Sequence, residues 1–173
     1  GRQWNMAIAF ELEQAEIGLL SASGASPVSA CADRVPEPLL VLPKTILATT
    51  YPLEGMTEEL LVVNVHMVNF TVTSSALQKQ LEMVVNLVQN HPGPVIVAGD
   101  FNTWSAGRQS RVDTKMSELG LQQVRFSPDN RSRFFNKTVD EIYFRGLVPL
   151  VSISHSVKTS DHNPLEVHFR VPG

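Results

Sequence analysis

Val95-Ile96-Val97-Ala98-Gly99-Asp100-Phe101-Asn102 is the stretch on which the fold turns. Four apolar residues in succession predict a short strand covered on both faces. The Gly-Asp-x-Asn that follows places Asp100 and Asn102 on one face at the strand's carboxyl end, where open sheets gather ligand sites. A carboxylate beside a neutral amide can hold a water or a metal ion and donate to a phosphoryl oxygen. Taken singly, the same quartet is also an ordinary Asx turn leaving a strand.

On the amino-terminal side, Ser75–Gln89 carries Leu77, Leu81, Val84 and Val88 at three- and four-residue spacing, which predicts a helix. Ser75 and Gln78 are placed to cap its start, and Pro92-Gly93-Pro94 closes its exit. Thr45–Tyr51 and Leu60–Val68 flank a Pro/Gly/Glu connection and predict a paired set of strands. Trp4–Leu12 and Ile17–Ser23, separated by an acidic turn, predict a hairpin. On the carboxyl-terminal side, a second helix is expected over roughly Arg108–Leu119, with Gly120 as its cap. Later strands are expected at Gln122–Phe126, Val139–Phe144, Val148–Ser154 and Leu165–Val171. Mixed strands with few helices predict an α/β (α+β) fold of two stacked mixed β-sheets with helices outside.

The 173 residues suit one domain or most of one, and residues 1–173 show no repeat or linker that divides them. An apolar fraction of 43% against 18% charged supports a buried core and excludes a disordered chain. Apolar runs such as Leu60–Val63 are far shorter than the roughly 20 residues a membrane span needs, so no integral membrane segment is expected. The single cysteine, Cys31, excludes a disulfide framework and a Cys-rich zinc site. It is expected to be a small buried residue and suits a reducing, cytoplasmic setting. The net charge of −3 divides unevenly: residues 1–100 carry 4 basic and 10 acidic side chains, residues 101–173 carry 10 and 7. A basic half attracts an anionic ligand, but nothing forms the dense basic stripe of a duplex-binding module.

Three further motifs carry chemistry. In Asn64-Val65-His66, strand alternation puts Asn64 and His66 on one face and Val63 and Val65 on the other. Asp140 lies in the strand-like Val139-Asp140-Glu141-Ile142-Tyr143-Phe144, where a buried carboxylate needs a partner such as an imidazolium. Its neighbour Glu141, on the opposite face, is expected to be a surface acid. Ser160-Asp161-His162-Asn163-Pro164 is a loop that lets Asp161 and His162 converge, the histidine suited to proton transfer and the aspartate to magnesium.

Asn64-x-His66, Gly99-Asp100-Phe101-Asn102, Asp140 on a strand and Ser160-Asp161-His162, in this order, resemble the exonuclease/endonuclease/phosphatase superfamily of DNase I-like enzymes. Val63–Phe70, Gly93–Ser105, Gln123–Phe126, Tyr143-Phe144-Arg145-Gly146, Ser160–Leu165 and Tyr51-Pro52-Leu53 are similar to its bacterial YafD-like branch. The resemblance implies a DNase I-like four-layer sandwich and a phosphoric ester hydrolase using magnesium or manganese. A phosphodiesterase or nuclease is favoured over a monoesterase. His162 would be the general base oriented by Asp140, and Asp100 would position the water. Asn102 and His66 would contact phosphoryl oxygens, and Asp161 would be a metal carboxylate. Arg131 or Arg133 is expected to approach the anionic substrate, nucleic acid being one candidate, and Trp104 either stacks on a base or sugar or packs on the following helix.

The family's first strands, including a Gln-Glu metal carboxylate, would precede Trp4 and are not in this sequence. The expectation is therefore a partial domain, opening at Gly1 as a fragment, that exposes an apolar face or self-associates through it and whose own activity is in question. A non-catalytic binding or scaffold domain that keeps the fold is the alternative.

Overall fold

The computed structural model describes residues 1–37, 42–69 and 75–172. Its centre is a six-stranded mixed sheet in the order β3 (Ser29–Pro36), β4 (Pro43–Tyr51), β5 (Leu60–His66), β6 (Val95–Asp100), β10 (Asp140–Arg145), β7 (Gln122–Gln123). Only β5 and β6 run parallel, which requires the crossover that α1 (Ser75–Val88) supplies. β10 returns antiparallel beside β6.

Alternation along these strands sends Val63, Val65, Val95, Val97 and Tyr143 to one face, where they meet Leu77, Leu81, Val84 and Val88 of α1. Val112 and Met116 of α2 (Ala106–Glu118) complete that core. Leu81, Val84 and Val88 are fully buried, each contributing about 1.5–3 kcal/mol relative to exposure. The helix reading thus holds in both places. Ser75 is the first residue of α1, while Gln78, its expected capping partner, donates its side-chain amide to Glu82; position 74 lies outside the described residues. Ser105 caps α2, its hydroxyl accepting from the Arg108 amide, and Gly120 follows the exit at φ +71°.

The other face of the sheet is covered by hairpins. β11 (Val148–Ser154) and β12 (Leu165–Arg170) pair and pack Leu165, Val167 and Phe169 near Ile96, Ile142 and Phe144. β1 (Gln3–Leu12) and β2 (Ala15–Ser23) pair and lie over β4 and β5, with the Asn64 amide donating to the Leu20 carbonyl. The second layer is therefore two separate two-stranded sheets, and a groove of about 400 Å³ lined by Ser21, Asn64, Ala98, Ile142 and Leu165 opens between them. Outward-facing Trp4, Leu12, Leu20, Leu150 and Ile153 are exposed on these hairpins.

Several expectations need correction. Gln122–Phe126 is a strand only at its first two residues, and β3 was not anticipated because Ser29–Arg34 is exposed on an edge. That same edge leaves Cys31 exposed instead of buried. A short hairpin of β8 (Arg133–Phe134) and β9 (Lys137–Thr138) also went unread, two-residue strands offering no alternation to detect.

Candidate active site

Strand register builds the site. His66 is opposite Asp100 across the parallel β5–β6 pair, and Asp100 is opposite Asp140 across β6–β10, so three chemical groups occupy one row of the sheet. Gly99 makes this row possible: at φ +139°, a Cβ there would stand 2.0 Å from the Val65 carbonyl oxygen. The row opens into a cleft of about 290 Å³ that His66, Asn69, Asp100, Asn102, Phe134, Asp161 and His162 line.

His162 Nδ1 is 2.6 Å from Asp140 Oδ2. A carboxylate only accepts, so Nδ1 carries the hydrogen and Nε2 is left as the basic nitrogen. Burial pushes the imidazole's pKa down, but the hydrogen bond to Asp140 and the charges of Asp140, Asp100 and Asp161 outweigh it and leave it raised. Asp140 is itself raised, because its burial outweighs the stabilisation it draws from His162. The loop holding His162 is strapped down: Asn163 donates its backbone N–H to Ser132 Oγ and its side-chain amide to the Asn130 carbonyl. Asn130 in turn bonds Ser154 at the end of β11.

His66 has a different partner. Lys44 Nζ is 2.9 Å from His66 Nε2. An ammonium only donates, so Nε2 accepts and the ring's hydrogen sits on Nδ1. Asp100 Oδ2 is 3.5 Å from the same Nε2, at the outer limit of contact. Burial first and the Lys44 charge second lower the His66 pKa, against the pull of Asp100.

Asp100 is fixed by Asn102, whose backbone N–H donates to Oδ1 and whose amide donates to Oδ2. Burial raises the Asp100 pKa, with the Asn102 amide opposing it. Asn102 adopts φ +50°, a region asparagine tolerates better than most residues. Its Nδ2 also donates to the Met67 carbonyl, so both amide hydrogens are used. In this arrangement Asn102 holds Asp100 in place. Arg108 and Gln80 brace the same loops from the helices. Arg108 donates to the carbonyls of Asn102 and Val68, and Gln80 spans the Val68 amide and the His66 carbonyl.

Arg131 and Arg133 are not among the groups lining the cleft. Glu141 is buried at 1% exposure, not the surface acid expected, and it takes Arg131 as its counter-ion together with Thr138 and Gln123. Arg131 is further tied to Asp129, and Arg133 pairs with Asp129 at 3.2 Å. A buried carboxylate left unpaired is costly, so Arg131 serves as the counter-ion of Glu141. Trp104 packs under Arg108 of α2, 5.5 Å from ring centroid to guanidinium.

Among the described residues no three His, Cys, Asp or Glu side chains converge as a metal cage. The oxygen donors lining the cleft nevertheless suit magnesium or manganese, which keep several waters and take one or two carboxylates. Asp161 is exposed there, and Asn69 contributes a buried Oδ1 without a hydrogen-bond partner among the described residues. Lys44 and Asn69 were not found from sequence: each is a lone polar residue outside any motif.

Residues 9–162 match the profile of the Endonuclease/Exonuclease/phosphatase family. A UPF0294 protein of Yersinia enterocolitica is 43% identical over 162 residues, which span 94% of this chain and 62% of that protein. The chain therefore covers less than two thirds of that relative's length. Among solved structures, an endonuclease/exonuclease/phosphatase family protein from Leptotrichia buccalis superposes with a TM-score of 0.73 at 16% identity, covering 98% of this chain and 72% of that one. TDP2 of D. rerio, solved with a single-strand DNA product, gives a TM-score of 0.62 at 17% identity over 98% and 77%. At such identities the likeness is one of fold, and it agrees with the mixed α+β architecture. No helix among the described residues is long and apolar enough to cross a membrane.

Proposed function

This chain belongs to the endonuclease/exonuclease/phosphatase family, and from that premise we propose that it hydrolyses a phosphodiester with water activated by His162. The observation that carries the reading is the 2.6 Å contact between His162 Nδ1 and Asp140 at one end of the His66–Asp100–Asp140 row.

With Nδ1 committed to Asp140, His162 Nε2 takes the proton as a water oxygen forms its bond to phosphorus. The imidazolium so formed is stabilised by the Asp140 carboxylate. Asp100, held by Asn102, accepts a hydrogen bond from the same water and orients it. His66 donates from Nδ1 to a phosphoryl oxygen as charge builds there. The bond to the leaving oxygen breaks, and that oxygen takes a proton from solvent. Asp161 and the Asn69 amide oxygen would hold magnesium or manganese there, and the ion would supply charge neutralisation at the phosphoryl group. Residues 1–173 form part of a single domain that acts in the cytoplasm and self-associates through the exposed apolar face of the β1–β2 hairpin.

Hydrolysis of bis(p-nitrophenyl) phosphate by the purified protein, with magnesium and then with EDTA, tests the reading. Metal-dependent turnover that His162→Ala abolishes supports it. Turnover indifferent to His162, or absence of turnover in the full-length protein as well, favours a scaffold that keeps the fold. Analytical ultracentrifugation tests self-association, and a monomer at all concentrations rejects it.

A further inference from the structure

The β8–β9 hairpin ends in a two-residue turn, Phe135-Asn136, with φ +48° and +63°. Turns of this type favour Asn and Gly at both central positions, and a bulky residue with positive φ is an outlier. Here the outlier is a phenylalanine that is 74% exposed, so it gains little from the core in return. Its neighbour Phe134, 45% exposed, lines the cleft beside His66, Asp161 and His162. The two rings meet at 4.7 Å, and Trp104 stands edge-on behind Phe135 at 6.3 Å. Thr103, one residue beyond Asn102, anchors the hairpin by donating to the Thr138 carbonyl. The aromatic pair is thus braced from behind and open in front, next to the row of reacting groups.

We propose that Phe134 and Phe135 form a stacking platform for a base adjoining the scissile phosphodiester, making single-stranded nucleic acid the substrate class. This rests on the phosphodiesterase reading above. Aromatic faces stack any base with little regard to sequence, and the exposed Lys137 on β9 is placed to meet a backbone phosphate. An anionic lipid surface is the alternative that the vesicle measurement below tests.

The test is fluorescence anisotropy with a labelled eight-nucleotide single-stranded DNA and with an abasic strand of the same length, in EDTA to prevent turnover. The base-bearing strand is expected to bind about tenfold tighter or more, within the range of base–aromatic stacking. Phe135→Ala and Phe134→Ala should bring the two strands close to parity, while Phe135→Trp keeps the preference. Equal binding of the two strands, failure of both to bind, or an unchanged preference in both alanine variants overturns the proposal. So does loss of phosphatidylserine vesicle binding in Phe135→Ala with DNA binding intact. His162-dependent hydrolysis of bis(p-nitrophenyl) phosphate is scored separately, so the platform can fail while the phosphodiesterase reading stands.

Discussion

His66 and His162 share one cleft and opposite surroundings. His162 has a carboxylate at Nδ1, which fixes the hydrogen there and raises the ring's pKa. His66 has an ammonium at Nε2, which fixes the hydrogen on the other nitrogen and helps lower the pKa. The same side chain is thus prepared as a base with free Nε2 in one place and as a neutral donor in the other. What separates them is the charge of one neighbour, and each neighbour is set by strand register: Asp140 beside Asp100, and Lys44 at the start of the strand paired with β5.

The largest effect is expected at His162. Replacing it with alanine removes the proposed base and should lower kcat by roughly 10²–10⁴-fold in steady-state assays, with KM little changed. Asp140→Asn should cost no more than that, and the double variant should be little worse than His162→Ala, because both act on one unit.

A large effect of another kind is expected at Arg131. Arg131→Ala leaves Glu141 buried without its cation and should destabilise the fold by about 3 kcal/mol, read as an earlier urea midpoint. Surviving folded protein should keep its KM; a raised KM at unchanged stability would return Arg131 to the substrate.

Lys44→Met should have the smallest effect, about tenfold on kcat, as the loss of a contact that orients an imidazole. Its signature is an upward shift of the His66 pKa, since the cation that helps depress it is gone. Conversely, Asp140→Asn should lower the His162 pKa.

Much of this arrangement was legible in the sequence because short-range rules govern it. Val95–Ala98 followed by Gly99-Asp100 announced a buried strand ending at a site, and alternation placed Asn64 and His66 on one face. What escaped depended on partners distant in the chain. Alternation set Glu141 opposite Asp140 correctly, but not whether that face met solvent or protein. Lys44 is an isolated lysine until antiparallel pairing with β5 carries it to His66. Nothing local reveals that the Met67 carbonyl, 35 residues away, takes one of the Asn102 amide hydrogens. Phe135 looked like any apolar residue; only its backbone angle and exposure mark it.

The most direct measurement is a pH titration of both imidazoles by ¹⁵N NMR in the metal-free protein. His162 should titrate above the ordinary histidine value of about 6.5 and carry its neutral-form hydrogen on Nδ1 against Asp140. His66 should titrate below that value, with its hydrogen also on Nδ1 and Nε2 accepting from Lys44. Coincident titration of the two rings, or the reverse order, would contradict the division into a base and a donor.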